Sequence, residues 1–339
     1  MRAFVTGGTG LVGRHIVEAL LAHGWEVSIL TRNRARAKDL EARGVRIVAG
    51  DVTRATFGSG MSHADVVFHA AGWFELGVRD ARRMFDVNVT GTANVLTLAR
   101  RENVPRIVVT GTAGVFAAPG SHGPLTESMA PSSALRDPYV STKREAHQLV
   151  VGEMHSGLPV TLVCPGGVFG PGDTGQLGRT LALLVIGRLR TLPRGLGRNT
   201  FTHAADIAEG HLLAAAVGKA GETYLLGDRV LPLEEFFRLA AEAAGVDPPK
   251  RHVPMVLARL AARGSEVRAR FGGKTPLLSR GSLELSTVDV VVDSTKARTQ
   301  LGWNPRSFGE RLRETMAWYA ETYRDRLARL PVKPGGASA

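Results

Sequence analysis

Apolar, β-branched residues come in short runs through the first half of the chain, at positions 2–6, 26–31, 45–49, 66–69, 107–110 and 160–164. These runs show little alternation of apolar with polar positions, as expected of strands buried on both faces. Amphipathic stretches separate them, the first over 11–23. Strands alternating with helices predict an α/β fold, a doubly wound parallel sheet with helices on both faces. After Cys164 the texture changes: Gly and Pro cluster in Pro165-Gly166-Gly167 and Gly170-Pro171-Gly172, and helical patterns follow at 233–244, 294–301 and 308–329. The expected division is a first domain over 1–165, a smaller lobe mainly over 166–330 with some chain returning to the first sheet, and a disordered tail over 331–339 (PVKPGGASA).

Composition narrows the class. With 339 residues, 44% of them hydrophobic, the chain can bury a full core. Its one cysteine, Cys164, supports neither an internal disulfide nor a thiolate metal site. The sequence runs directly from Met1 into a strand pattern, and no apolar run reaches the roughly 20 residues of a membrane span. A cytoplasmic protein with no membrane insertion and no metal is therefore expected. The net charge of +12 does not by itself mark a nucleic-acid surface, because the arginines are spread along the chain and no nucleic-acid motif accompanies them.

The first strand pattern ends in Thr6-Gly7-Gly8-Thr9-Gly10-Leu11-Val12-Gly13 and runs into an apolar helix. Glycines suit such a turn because side chains would block both the turn itself and the approach of a pyrophosphate to backbone N–H groups at the helix N-terminus. The motif opens the first unit of the alternating pattern, where a Rossmann-type fold places its dinucleotide. Gly7, Thr9, Gly10, Leu11, Val12 and Gly13 are the expected contacts. An acid at the end of the second strand would grip a ribose hydroxyl; this chain instead reads Leu30-Thr31-Arg32-Asn33-Arg34-Ala35-Arg36. Arg32 and Arg36 would welcome a ribose 2′-phosphate, so NADP(H) is the expected cofactor, with NAD(H) the alternative.

Tyr139-Val140-Ser141-Thr142-Lys143 opens another helical pattern after Asp137-Pro138. A spacing of four puts phenol and ammonium on one helix face. A cation beside a tyrosine favours the phenolate and brings a proton donor closer to working pH.

The glycine loop, the Tyr-x-x-x-Lys pair and their order resemble an extended short-chain dehydrogenase/reductase of the NAD-dependent epimerase/dehydratase family. The resemblance covers nearly the whole chain. It implies that Tyr139, Lys143, Thr112 and Asn88 are catalytic, with Thr110 the fallback for the hydroxyl. It also implies that Asp51 and Val52 hold the adenine, that Ala70 and Ala71 line the nicotinamide, and that Pro165 and Val168 belong to the loop touching its carboxamide. A homodimer through the helices around 88–101 and 139–153 is likewise implied.

Ala113 and Gly114 follow Thr112, where sugar-nucleotide dehydratases carry an Asp-Glu pair. The branch therefore resembles dihydroflavonol reductases and hydroxysteroid dehydrogenases. The first reading is a reductase of a ketone or aldehyde on a small apolar molecule, or the reverse alcohol oxidation, with Trp73, Phe74, Phe116 and Phe169 walling the substrate. A nucleotide-sugar epimerase or reductase is the second reading, in which Arg179, Arg188, Arg190, Arg194 and Arg198 offer a clamp. A cofactor-sensing regulator without chemistry is the third.

Overall fold

Each of the six apolar runs forms a strand, because β-branched side chains that meet apolar neighbours on both faces suit a central pleated strand. In the computed structural model, which describes residues 1–77, 80–121, 123–272 (269–272 by backbone alone) and 278–323, these are β1 (Arg2–Thr6), β2 (Glu26–Thr31), β3 (Arg46–Ala49), β4 (Val66–His69), β5 (Ile107–Thr110) and β6 (Val160–Pro165). Between them run α1 (Leu11–Ala22), α2 (Lys38–Ala42), α3 (Ala81–Phe85), α4 (Gly91–Arg101) and α5 (Pro138–His155). A π-helical turn at Asp86–Thr90 joins α3 to α4.

The second half adds β7 (Gly167–Phe169), α6 (Gln176–Val185), β8 (Thr191–Pro193), β9 (Arg198–His203), α7 (Ala204–Ala216), β10 (Thr223–Leu226), β11 (Arg229–Pro232) and α8 (Leu233–Ala243). It closes with β12 (Arg251–Val253), α9 (Met255–Gly272), α10 (Arg280–Ser286), α11 (Thr295–Leu301) and α12 (Phe308–Thr322). Within the expected helix over 308–329, the part from 324 on lies outside the described residues, as does the expected tail over 331–339.

The main sheet has seven parallel strands in the order β3-β2-β1-β4-β5-β6-β10. Strand order reverses between β1 and β4, and in open α/β sheets a ligand crevice forms at the carboxyl ends of the strands flanking such a reversal. β10 pairs with β6 from Thr223↔Leu162 to Leu226↔Pro165, so chain from beyond position 165 completes the sheet. Successive side chains of β1 enter opposite layers: Phe4 packs with Val95, Leu98 and Val150 beneath α4 and α5, whereas Val5 packs with Ile16, Ile207 and Trp303 beneath α1, α7 and the segment after α11. Burial of Val95, Leu98 and Val150 assigns the apolar faces of the expected dimer helices to the monomer's own core; Leu149 is half-buried.

A separate aromatic core packs β7, β9, α6, α8 and α12 together, with Phe201 stacked on Phe236 at 4.0 Å and Phe169 edge-on to Phe236 at 5.6 Å. No helix among the described residues is long and apolar enough to cross a membrane.

Candidate functional site

Two glycines set the crevice's floor. Gly7 takes φ +75°, which favours glycine, and a Cβ there would lie 2.5 Å from the Ala71 nitrogen. A Cβ on Gly13 would lie 2.2 Å from the Gly7 carbonyl oxygen, so only glycine lets α1 pack this close to the loop. Gly10 caps α1, donates its N–H to the Gly7 carbonyl at 2.9 Å and is exposed. The first turn of α1 carries no acid. Its bare N–H groups and positive dipole end fit a pyrophosphate. Thr9, Leu11 and Val12 flank the opening half-buried.

Along the carboxyl edge, Arg32 reaches Asp51 with Nη1 3.5 Å from Oδ2. Burial works against the Asp51 charge, but hydrogen bonds from Thr53 and the Arg32 cation outweigh it and hold the carboxyl below its usual range. Both residues line a cavity of about 300 Å³ with Thr53, Arg54, Arg83, Asp86, Val87 and Thr90. Val52 is fixed through its carbonyl, which accepts from Asn94 Nδ2 at 2.8 Å. Arg36 is exposed on the turn Arg34–Ala37, which Asn33 caps, and the neighbouring Arg34 is paired with Glu41.

The Asp137-Pro138 dipeptide starts α5: the Asp137 carboxylate accepts the Tyr139 N–H at 2.9 Å, and proline occupies the first turn, where no amide hydrogen is missed. Tyr139 and Lys143 therefore project from one face. The Tyr139 phenol lies within reach of the Thr112 hydroxyl, which accepts the Gly114 N–H at 3.2 Å, and Lys143 Nζ donates to the Thr110 carbonyl at 2.9 Å. The Thr110 hydroxyl is engaged away from the phenol, its Oγ1 lying 2.8 Å from His211 Nε2 on α7.

Burial pushes the Tyr139 phenol up to about 12, with the Asp137 charge adding to the rise and the Thr112 hydroxyl opposing it. Burial likewise pushes the Lys143 ammonium down to about 8. The phenol is thus raised where the nearby cation was expected to lower it, because loss of water around the ring disfavours the phenolate.

Asn88 stands in the π-helical turn, a common device at functional positions. Its amide accepts from the Trp73 N–H at 2.7 Å and donates to the Trp73 carbonyl at 3.2 Å and to Thr142 Oγ1 at 3.0 Å. Fully engaged and buried, Asn88 bolts the loop after β4 to α5.

His69 does related work under the glycine loop. Thr92 donates to the Asn88 carbonyl at 2.7 Å, which leaves its oxygen to accept His69 Nε2–H at 2.9 Å, while His69 Nδ1 accepts from Thr6 at 2.7 Å. Burial, with Lys143 nearby, pushes this imidazole down to about 3 and keeps it neutral. His147, one turn past Lys143, is also buried and neutral, its Nδ1 has no partner, and its ring meets Phe116 edge-on at 5.3 Å.

Thr92, Thr142, His69 and His147 carry no motif that would have revealed these contacts; the Asp137 cap was readable from the Asp-Pro dipeptide.

The expected apolar wall divides. Phe74 is 46% exposed and stands edge-on to Tyr139 at 4.7 Å. Trp73 is half-buried, with its indole donating to Glu75 at 2.7 Å. Phe116 (3% exposed) and Phe169 (0%) instead lie inside the protein. Phe116 packs beneath α5 and Phe169 joins the separate aromatic core, so neither is an open wall. Pro165 ends β6, and Val168 lies half-buried on β7 beside β9. Of the expected arginine clamp, Arg198 is bound to Asp289 at 2.8 Å and Arg188, Arg190 and Arg194 are exposed.

Comparison with known proteins agrees with this architecture. Residues 3–227 match the NAD dependent epimerase/dehydratase family. A relative in Stigmatella aurantiaca, 4-hydroxy-2-methyl-3-oxo-4-farnesyl-3,4-dihydroquinoline-1-oxide ketoreductase, is 33% identical over 314 residues, covering 90% of this chain and 92% of that one. The 3 beta-hydroxysteroid dehydrogenase/Delta 5-->4-isomerase of Mycobacterium tuberculosis is 29% identical over 348 residues, covering 95% of this chain and 91% of the relative. Among solved structures, DesIV, the dTDP-glucose 4,6-dehydratase of Streptomyces venezuelae with NAD and TYD bound, superposes with a TM-score of 0.78 at 26% identity, covering 96% of this chain and 98% of that one. The chain belongs to the NAD dependent epimerase/dehydratase family.

Proposed function

We propose that this protein is an NADP(H)-dependent reductase of a ketone or aldehyde on a small, largely apolar molecule, also able to run the reverse alcohol oxidation. The observation that carries the reading is the phenol of Tyr139, set within reach of the Thr112 hydroxyl and faced by the exposed ring of Phe74. The glycine cradle at Gly7, Gly10 and Gly13, with the N-terminus of α1, fits a dinucleotide, and the cavity that Arg32 and Asp51 line, with Arg36 exposed on the turn after β2, supports an adenosine end bearing a 2′-phosphate. When bound, the nicotinamide supplies the hydride. Tyr139 donates its proton to the carbonyl oxygen as the new C–H bond forms, Thr112 gives that oxygen a second hydrogen bond, and Lys143 holds the nicotinamide ribose. The names of the ketoreductase and hydroxysteroid relatives agree with oxygen chemistry on apolar skeletons.

The reading is tested by NADPH oxidation with a panel of aryl and alicyclic ketones and aldehydes against UDP- and dTDP-sugars. Turnover of the carbonyl panel is expected; turnover and thermal stabilisation by the sugars alone would replace it with a nucleotide-sugar activity.

Cofactor choice follows from Arg32. NADPH is expected to outcompete NADH, and Arg32→Ala to lose roughly 10- to 150-fold of that preference, the equivalent of one charge-assisted contact of about 1.5–3 kcal/mol. Steady-state kinetics with both cofactors checks this, and equal use of the two by the unaltered protein refutes it.

A further inference from the structure

The outward face of α9 serves no purpose in the chemistry above. The helix is anchored by Ala258 and Ala262, buried against Leu283 of α10. On its other side Val256, Leu257, Leu260 and Val267 are 65%, 55%, 56% and 52% exposed. These four make up nearly half of the nine large apolar side chains exposed among the described residues, so they form a patch rather than scatter. At about 100° per residue, Val256, Leu260 and Val267 fall within about 40° of one another, opposite the buried alanines. Exposed arginines line both flanks, Arg259 and Arg263 on one side and Arg268 on the other. The helix's only acid, Glu266, is held by Arg280 at 2.9 Å.

We propose that this face docks on an anionic lipid surface, with the apolar stripe entering the interface and the arginines meeting the headgroups. An apolar stripe edged by arginines is the pattern of a helix that lies in the plane of a bilayer. Charge selects lipid over a second copy of the chain: two such faces in contact would crowd arginines together with no free carboxylate of this helix to answer them, whereas anionic headgroups supply the missing charge. The neighbouring β8–β12 ribbon adds exposed Arg194 and Arg251.

Position gives the face a use. α10, which packs on α9, begins against the catalytic helix, where a Cβ on Gly281 would lie 1.8 Å from Asp137 Oδ2. Through α10 the docking face is thus joined to the start of α5, which carries Tyr139. The docking itself does not depend on what the site reduces.

Flotation of the full chain with phosphatidylcholine vesicles, with and without phosphatidylglycerol, tests the proposal. Binding to the anionic vesicles, weakened by salt, is expected. The triple variant Val256→Ser, Leu260→Ser, Val267→Ser is expected to bind them roughly tenfold or more weakly while keeping its circular dichroism and NADPH affinity. Arg259→Glu, Arg263→Glu, Arg268→Glu provides a second test should the first variant misfold, and it is expected to lose the anionic preference. No flotation of the unaltered protein, or equal binding by a folded variant, overturns the proposal. So does a dimer in light scattering that the serine variant abolishes without any lipid binding, since the face would then belong to a second copy.

Discussion

Replacing Tyr139 by Phe is expected to lower carbonyl turnover roughly 100-fold or more, the usual cost of losing a positioned general acid. The substitution removes one oxygen and little else. The ring that meets Phe74 at 4.7 Å remains, Asp137 still caps α5 through a main-chain N–H, and Lys143 keeps its bond to the Thr110 carbonyl. On the proposed reading dinucleotide affinity comes from the glycine cradle and the arginine edge, and should be unchanged. Single-turnover NADPH oxidation alongside a fluorescence titration of NADPH separates the two quantities. A variant with near-normal turnover would mean that the proton comes from elsewhere; one with lost affinity would mean that Tyr139 is part of the cofactor cradle.

A second large effect is expected from acid. Burial pushes His69 and His203 down to about 3 and His147 and His211 down to about 4, and all four are at most 8% exposed. Nearby cations add to the effect, Lys143 beside His69 and His147 and Arg311 beside His203. The sign follows directly. An unfolded chain takes up these protons near pH 6.5 and the folded one does not, so stability is complete above 6.5 and is lost as pH falls towards the folded values.

At pH 5 each histidine costs about 2 kcal/mol, about 8 kcal/mol for four, as much as the whole stability of many domains. Asp137, Asp173 and Asp228, whose carboxyls burial raises, act in the opposite direction and offset part of this. A fall in Tm of at least about 10 °C between pH 7.5 and 5 is expected in calorimetry or fluorescence scans. His147→Met should flatten that slope, because it removes one of the groups that make it. A Tm constant over this range would mean that the four imidazoles reach water or partners in acid.

The parts of the site that were legible are those in which chain spacing becomes local geometry. Tyr139 and Lys143 share a face because four residues make about one helical turn, and Gly7 and Gly13 announce a close approach because nothing else tolerates it. Strand positions were readable because burial on both faces leaves unbroken apolar runs. What stayed hidden depends on which distant segments meet. Phe116 and Phe169 read as wall until α5 and α8 close over them, and Thr110 and Thr112 are equivalent on the chain until His211 takes one of them. The Tyr139 phenol went up where a cation next door suggested down, since desolvation is a property of the finished fold. Thr92, Thr142 and His69 form a network whose members lie up to 73 positions apart, which no local pattern records.

The late arrival of β10 bears on how the molecule is made. Position 165 ends the stretch containing the glycine loop, Tyr139 and Lys143, yet β6, buried along its whole length, finds its outer partner only at Thr223–Leu226. Until some sixty further residues leave the ribosome, β6 is a bare, apolar edge of the kind that recruits other chains. α7, which covers α1 and carries the histidine that claims Thr110, arrives in the same late segment. Residues 1–165 are therefore not expected to fold independently, and the nascent chain is expected to be most exposed to aggregation while residues 166–226 are being synthesised.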